Sequence, residues 1–312
     1  MVFLAFKQLF SRPQQTVLTF LAILLGTTGY IMFSGMMLGF QEIIIDQLIN
    51  NNGQVIISAR DDLIRPQDFK NIFFENRIVK WIKPPSGRHD SEKLTNAIGW
   101  MKKLENDERI IAWAPQLKRQ VVLAHGKAQE IVTLSGIQAS RHRRTTNLEN
   151  YIVHGSLTDL EKSDSSIILG SGLMTSLGAR QGDTVKATYG SRNPVMLKVV
   201  GMVDTGSRML DNSSAYASVR SVQNISASGG EISSLIVKLH DVEAATGIAN
   251  EWKQFSHDKV ESWDQANEGI MSVFKTQDIV RNTITGVIAL IIAFGIYNIL
   301  NMVVNHKKRD IA

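Results

Sequence analysis

Two long stretches without charge stand at opposite ends of the chain, one from Pro13 to Gln41 and one from Asn282 to Asn305. A helix rises about 1.5 Å per residue and a bilayer core takes about 20 apolar residues to cross, so each stretch is long enough to span. Between them the apolar positions recur at shorter periods. QVIISA after Gly53 alternates as a strand does, and SEKLTNAIGWMKKLEND reads as a helix capped by Ser91, with Leu94, Ile98, Met101 and Leu104 along one face. QLKRQVVLAHGKAQEIVTLSGI reads as a hairpin turning at His125-Gly126. The run IIL at 167–169 reads as a buried strand, and GLMTSLGA as a short helix ended by Gly178. TVKAT, MLKVVGMV, AYASV and SLIVKLH are further strands, and residues 241–254 form a helix with Ala244, Ala245, Ile248 and Trp252 inward. Residues 61–90, with Asp61-Asp62 as a turn, and RHRRTTNLEN at 141–150 read as irregular, polar connections. A break near 138–150 divides the middle into two subdomains. The expected fold is a membrane protein in which two transmembrane helices flank an exported α+β domain on helical stalks.

Charge orients this arrangement. Lys7 and Arg12 precede the first stretch; Lys307, Lys308 and Arg309 follow the second. Cytoplasmic segments collect Lys and Arg, which puts both termini in the cytoplasm and the middle across the membrane. The expected division is a cytoplasmic surface helix at 1–12, a first span at 13–41, an exported core with stalks at 42–280, a second span at 281–305 and a cytoplasmic segment from 306 to 312. A secretory signal has an apolar stretch of only about 7–15 residues, so the first stretch reads as a retained anchor.

Composition changes the choice of partners. Of the 34 Lys and Arg, six flank the apolar stretches; of the 29 Asp and Glu, only Asp310 does. The remaining 28 of each sign cancel within 42–280, so the formal charge of +5 belongs to the membrane flanks, and nucleic acid is not an expected partner. The absence of cysteine removes disulfides and thiolate metal sites.

Candidate chemistry is sparse. No GxxxxGK[ST] phosphate loop occurs, and the glycines of LGSGLMTSLG lack dinucleotide-fold spacing, so a tight strand-to-helix turn is expected there. The seven histidines form no HExxH or HxH pair, and no serine sits in a GxSxG setting. No catalytic residue, metal or cofactor is expected. Arg141, His142, Arg143 and Arg144 form the densest basic cluster, a solvated loop or a surface for an acidic partner. Within the spans, Gly35 and Gly39 form a GxxxG pair, and Asn298 and Asn301 are polar groups that hydrocarbon obliges to find partners. These four are the candidate helix-packing residues, and they imply a bundle larger than two helices.

Several segments together resemble one family. LAFKQLFSRPQQTVLTFLAILLGTTGYI, SSIILGSGLMTSLGARQGDTVKAT, VESWDQAN and IIAFGIYNILNMVVNHKKRDIA, in that order, resemble the permease subunits of bacterial ABC transporters of the lipoprotein-releasing and macrolide-exporter type, with a MacB-like periplasmic core domain and FtsX-like permease spans. The likeness is greatest to the lipoprotein-releasing branch. It implies a non-enzymatic subunit of the bacterial inner membrane, partnered by a separate cytoplasmic ABC ATPase, a second permease subunit (as a homo- or heterodimer), membrane lipid, and a lipoprotein or periplasmic carrier. It also implies that Lys307, Lys308, Arg309 and Asp310 face the ATPase, although positive-inside topology accounts for the three cations by itself. Family members have four spans, whereas this sequence stops at Asp310-Ile311-Ala312, where a coupling helix is expected, which reads as a fragment or a truncated gene. The alternatives are a signalling permease that activates a cell-wall hydrolase, a two-span sensor and an anchored exported enzyme.

Overall fold

The computed structural model describes residues 13–59, 61–63, 88–90, 93–256 and 258–311. The surface helix at 1–12, the loop before Arg88 and the Ser91 cap lie outside the described residues. Two compact units emerge, one of residues 1–46 with 267–312 and one of residues 47–266. Among the described residues the first unit consists of two helices, α1 (Pro13–Asn52) and α10 (Glu268–Ile311), with the boundary to the second falling within α1.

The second unit alternates strands and helices. Its first half runs β1 (Val55–Ser58), β2 (Asp61–Leu63), β3 (Arg88–Asp90), α2 (Ala97–Glu105), β4 (Ile110–His125), β5 (Ala128–Ile137), α3 (Ala139–Thr145), a 3-10 turn (Leu148–Tyr151), β6 (Ile152–His154), α4 (Asp159–Lys162) and β7 (Ser166–Gly170). Its second half runs α5 (Ser171–Leu177), β8 (Thr184–Thr188), β9 (Val195–Val203), α6 (Arg208–Ser213), β10 (Ser214–Ser218), α7 (Val219–Ser226), β11 (Ser234–Leu239), α8 (Ala245–Lys253), β12 (Lys259–Ser262) and α9 (Trp263–Ala266).

The strand pairing builds two layers that share one strand. In the main sheet the order is β12-β1-β11-β4-β5-β10-β7-β9-β6, and β8 pairs with both β4 and β9. That double pairing closes β4-β5-β10-β7-β9-β8 into a six-stranded barrel. Its interior holds Leu117, Leu123, Leu134, Ile167, Leu169 and Leu197, all shielded from water. The open remainder, β12-β1-β11 and the first half of β4, carries α2 and α8 over a second core of Val55, Ile57, Trp100, Val237 and Trp252. Strand β4 shows the change in its own burial. Residues 113–117 are all buried, and alternation in and out begins at Leu117, where the barrel wall begins. Each large apolar side chain so enclosed contributes about 1.5–3 kcal/mol.

Most elements agree with the sequence, and the disagreements have physical causes. The polar segment 139–151 is α3 and a 3-10 turn, not a connecting loop. His142, Thr145 and Leu148 are buried there, and the Thr145 and Thr146 hydroxyls donate to the Arg141 and His142 carbonyls. The two layers therefore divide inside β4 and again before β11. Asp61 and Asp62 lie in a strand paired with Arg88–Asp90 and are not a turn. Helix α2 starts at Asn96, whose side chain accepts from the Gly99 amide, and it buries Trp100 and Leu104 while Ile98 is 71% exposed. Helix α7 has no apolar run in its sequence. Ser218 caps it by accepting from the Ser221 amide, Val222 and Ile225 are its buried apolar side chains, and the Ser221 hydroxyl and Gln223 amide donate to the Asp164 and Glu231 carbonyls.

The glycines of LGSG have a steric explanation. A Cβ at Gly170 would lie against the Asp211 carbonyl, because α6 crosses close over the β7–α5 turn. Gly178 ends α5 at φ +59°, where the left-handed conformation lets its amide donate to the last carbonyls of the helix. The motif is a packing device.

Candidate functional site

Chain entry to and exit from the second unit are neighbours. Strand β1 pairs antiparallel with β12 from Val55↔Ser262 to Ser58↔Lys259. One residue outside that ladder the Trp263 amide donates to the Gln54 carbonyl at 2.9 Å. Gln54 is buried, and it ties the junction to the sheet. Its amide donates to the Val237 carbonyl at 2.8 Å, and its side-chain Oε1 accepts from the Leu239 amide at 2.7 Å. The last turn of α1 is held as well, since the Asn147 amide donates at 2.9 Å to the Asn50 carbonyl, one of the acceptors a helix end leaves open. In sequence, Gln54 is only a polar residue ahead of an apolar run.

Within the first unit α1 and α10 run antiparallel. Tyr30 pairs with Thr285, and Gln41 with Gln277 at 3.1 Å, so ascending numbers on one helix meet descending numbers on the other. Both helices are long and apolar enough to cross a membrane. Their outward side chains are large and apolar: Leu25, Ile31, Met32 and Met36 on α1, and Leu290, Ile291, Phe294 and Tyr297 on α10 are all more than 60% exposed. Such a surface calls for lipid or further helices around it.

The candidate packing residues do not meet α10 through the glycines, which leaves them to the larger bundle they were read as implying. Gly35 and Gly39 have open space where a Cβ would stand, so the GxxxG pair does not meet α10. Among the described residues, side-chain hydrogen bonds between the two helices join Tyr30 to Thr285 and Gln41 to Gln277, polar residues that GxxxG reasoning passes over. Asn301 is exposed on α10, and the side chain of Asn298 lies outside what is described. The α10 backbone stays helical through Lys307, Lys308, Arg309 and Asp310, whose side chains also lie outside what is described.

The basic cluster frames a cavity in the second unit. A half-open cleft of about 400 Å³ lies between α2, the start of β4 and α3, lined in part by Glu105, Ile110, Ile111, Trp113, Arg141 and Arg144. The Arg141 guanidinium lies 4.0 Å over the Trp113 ring and 3.7 Å from Glu105. Arg143 points to Glu149 at 3.5 Å.

His142 faces inward, 2% exposed, and its Nδ1 has no hydrogen-bond partner among the described residues. Burial, reinforced by the charge of Lys118, pushes its pKa from 6.5 down to about 4. Between those values the unfolded chain binds a proton that the folded chain does not, so stability falls as pH drops through this window. Unfolding free energy should decrease by about 2 kcal/mol from pH 7 to pH 5 on this account. Denaturant melts of His142→Leu at the two pH values should show that decrement removed.

Comparison with known proteins completes the description. Residues 16–255 match the MacB-like periplasmic core domain family. The lipoprotein-releasing system transmembrane protein LolC of Neisseria meningitidis is 27% identical over 312 residues, covering 95% of this chain and 67% of that protein. LolC of Xylella fastidiosa is 24% identical over 307 residues, covering 94% of this chain and 66% of that protein. The chain thus spans about two thirds of the length of the curated relatives it matches. The crystal structure of the periplasmic region of MacB from Actinobacillus actinomycetemcomitans aligns with a TM-score of 0.43 at 16% identity, covering 72% of this chain and 95% of that one.

Proposed function

The chain belongs to the MacB-like periplasmic core domain family, and from that premise we propose that it acts as a permease subunit of an ABC transporter in the bacterial inner membrane. In this reading α1 and α10 are the spans, residues 42–280 are extracytoplasmic, and both termini are cytoplasmic. A separate ATPase binds at the Lys307–Asp310 end, and the cargo is a lipoprotein or another amphiphile. The observation that carries it is the antiparallel helix pair of the first unit taken with the adjacent entry and exit of the second. A domain whose two chain ends leave side by side is built to hang from two spans that run in opposite directions.

The mechanics follow from helix length. At about 1.5 Å per residue, the 40 residues of α1 and the 44 of α10 extend about 60 and 66 Å, roughly twice a hydrocarbon core of about 30 Å. An uninterrupted helix carries displacement along its axis, so movement at the cytoplasmic end of α10 reaches its Glu268 end. Gly35, Gly39, Asn298 and Asn301 serve contacts with the further helices of a permease dimer, where small residues allow close approach and polar ones bond across. The chain itself performs no ATP chemistry.

The test is reconstitution. The chain, with whatever its reading frame adds beyond Ala312, is co-expressed with ATPase subunits from the same genome and placed in lipid nanodiscs. One ATPase should co-purify, its ATP turnover should rise at least several-fold in the complex, and a lipid-anchored protein should be released on ATP addition. Stimulated turnover without release, accompanied by activation of a cell-wall hydrolase, would favour the signalling permease. No association with any ATPase would refute the permease reading.

A further inference from the structure

The contact stripe between α1 and α10 has a period of its own. Between residues 24 and 43 of α1, the described positions that are not exposed are Thr27, Tyr30, Ser34, Met37, Gly39 and Gln41. All but Gly39 follow one another at alternating steps of three and four. On α10 the same rhythm runs through Phe274, Asp278, Arg281, Ile288, Ile292 and Gly295. Gln277 lies beside that line, and Thr285, the partner of Tyr30, takes the remaining place in it. Alternating steps of three and four mark the narrow seam of a coiled coil, along which two helices mesh.

This seam is polar where a soluble coiled coil is apolar. Thr27, Tyr30, Ser34 and Gln41 each bring a polar group to it. Lipid tails are as apolar as leucine, so apolar meshing in a bilayer gives little preference for one alignment over another. Polar groups do give one, because a misaligned partner leaves them without a bond. The Gln41 side-chain amide donates to the Gln277 carbonyl at 3.1 Å, and Gln41 is buried. A slip of one heptad would set Gln41 opposite Ile270 or Ile284 and leave that amide unpaired. The Arg281 charge is answered within α10 by Asp278 at 3.0 Å, so the alignment does not rest on an ion pair across the seam.

We propose that the Gln41–Gln277 and Tyr30–Thr285 bonds are a register lock, which holds α1 and α10 in one alignment so that the pair moves as a single body. The lock selects the alignment, and the meshing of the two helices supplies the adhesion. Polar residues at seam positions are known to act in this way in coiled coils, fixing register at some cost in stability. A locked pair passes displacement along its axis without slippage between its two helices. The inference concerns the first unit alone. It requires lipid around the pair and no ATPase, so its failure would leave the permease reading standing, and failure of that reading would leave the lock.

The experiment places the full chain in lipid nanodiscs with nitroxide labels on Ile43→Cys and Ile279→Cys, both exposed and off the seam. Distances between the labels are read by double electron–electron resonance. The otherwise unsubstituted chain should give one narrow distance. Gln41→Leu with Gln277→Leu should keep the helices paired yet add a second population, offset along the axis by one heptad, about 10 Å at about 1.5 Å per residue. Gln41→Leu alone should split the distribution too, which keeps the test open if the double variant fails to insert. Thr283→Leu, a polar-to-apolar exchange at an exposed position, should leave one distance. A single distance in both leucine variants, several distances in the unsubstituted chain, or splitting by Thr283→Leu would each overturn the proposal. So would separation of the helices in the double variant, since the bonds would then supply adhesion and not alignment.

Discussion

Replacing Trp252 with alanine should lower the stability of the α+β unit by about 3–5 kcal/mol. Trp252 is fully buried at the centre of the open layer. Its ring centroid is 5.7 Å from that of Trp100 at a tilt of 55°, and the Lys103 ammonium lies 5.4 Å from both ring centroids. Truncation removes the indole from the packing of α8 on β1 and leaves a void that flanking Ile57 and Val260 cannot fill. Trp252→Phe separates the contributions. The indole Nε1 has no hydrogen-bond partner among the described residues, so phenylalanine sacrifices no bond and removes a buried unsatisfied donor. Chemical denaturation should show the phenylalanine variant losing less than half of what the alanine variant loses. Equal losses would mean that the indole N–H is satisfied in solution.

The second large effect concerns the Lys307–Asp310 end of α10, which the permease reading puts in the cytoplasm. Changing Lys307, Lys308 and Arg309 together to Gln should cut ATPase stimulation in the reconstituted complex at least tenfold. Two origins of these cations make different forecasts. If they only enforce positive-inside placement, the variant should misorient, and the fraction that inserts correctly should stimulate normally. If they contact the ATPase, as the permease reading has it, insertion should be unchanged because Lys7 and Arg12 still mark the inside, while turnover falls. Turnover measured against the correctly oriented fraction decides between them. The charge contacts should also weaken as salt rises, so the shortfall of the variant should be greatest at low ionic strength.

Periodicity carried much of the fold. The charge-free stretches became α1 and α10, the alternating runs became β4, β5, β8 and β9, and Ala245, Ile248 and Trp252 face inward on α8 as their spacing implied. What sequence did not carry was set by tertiary context. Nothing local in RHRRTT marks His142 and Thr145 as buried, since that depends on β4 and the 3-10 turn folding over them. Nor does VRSVQNIS announce a helix, because Val222 and Ile225 are its only buried apolar side chains and the Ser218 cap and the bonds of Ser221 and Gln223 to distant carbonyls do the rest. The barrel was equally hidden, because its closure depends on Val122–Ala124 pairing with Lys186–Thr188, more than sixty residues away.

The candidate site residues divide in the same way. The positive charge beside the two apolar stretches is visible in the sequence itself, and its role belongs to the proposed topology. The ties at Gln54 and between Gln41 and Gln277 could not, since a lone glutamine carries no periodic signal. The cleft needed two segments brought together, residues 104–113 and 140–144, and sequence offered only its basic wall.

The orientation of the chain supports the whole permease reading, and the absence of cysteine from this sequence makes orientation directly measurable. Single cysteines at Ser11, Lys127 and Lys308 would be challenged with a membrane-impermeant maleimide in cells whose outer envelope has been opened. Lys127→Cys, at the exposed β4–β5 turn, should label at once, and Ser11→Cys and Lys308→Cys only after the inner membrane is permeabilised. Immediate labelling at 11 and 308 with protection at 127 would contradict the proposed topology.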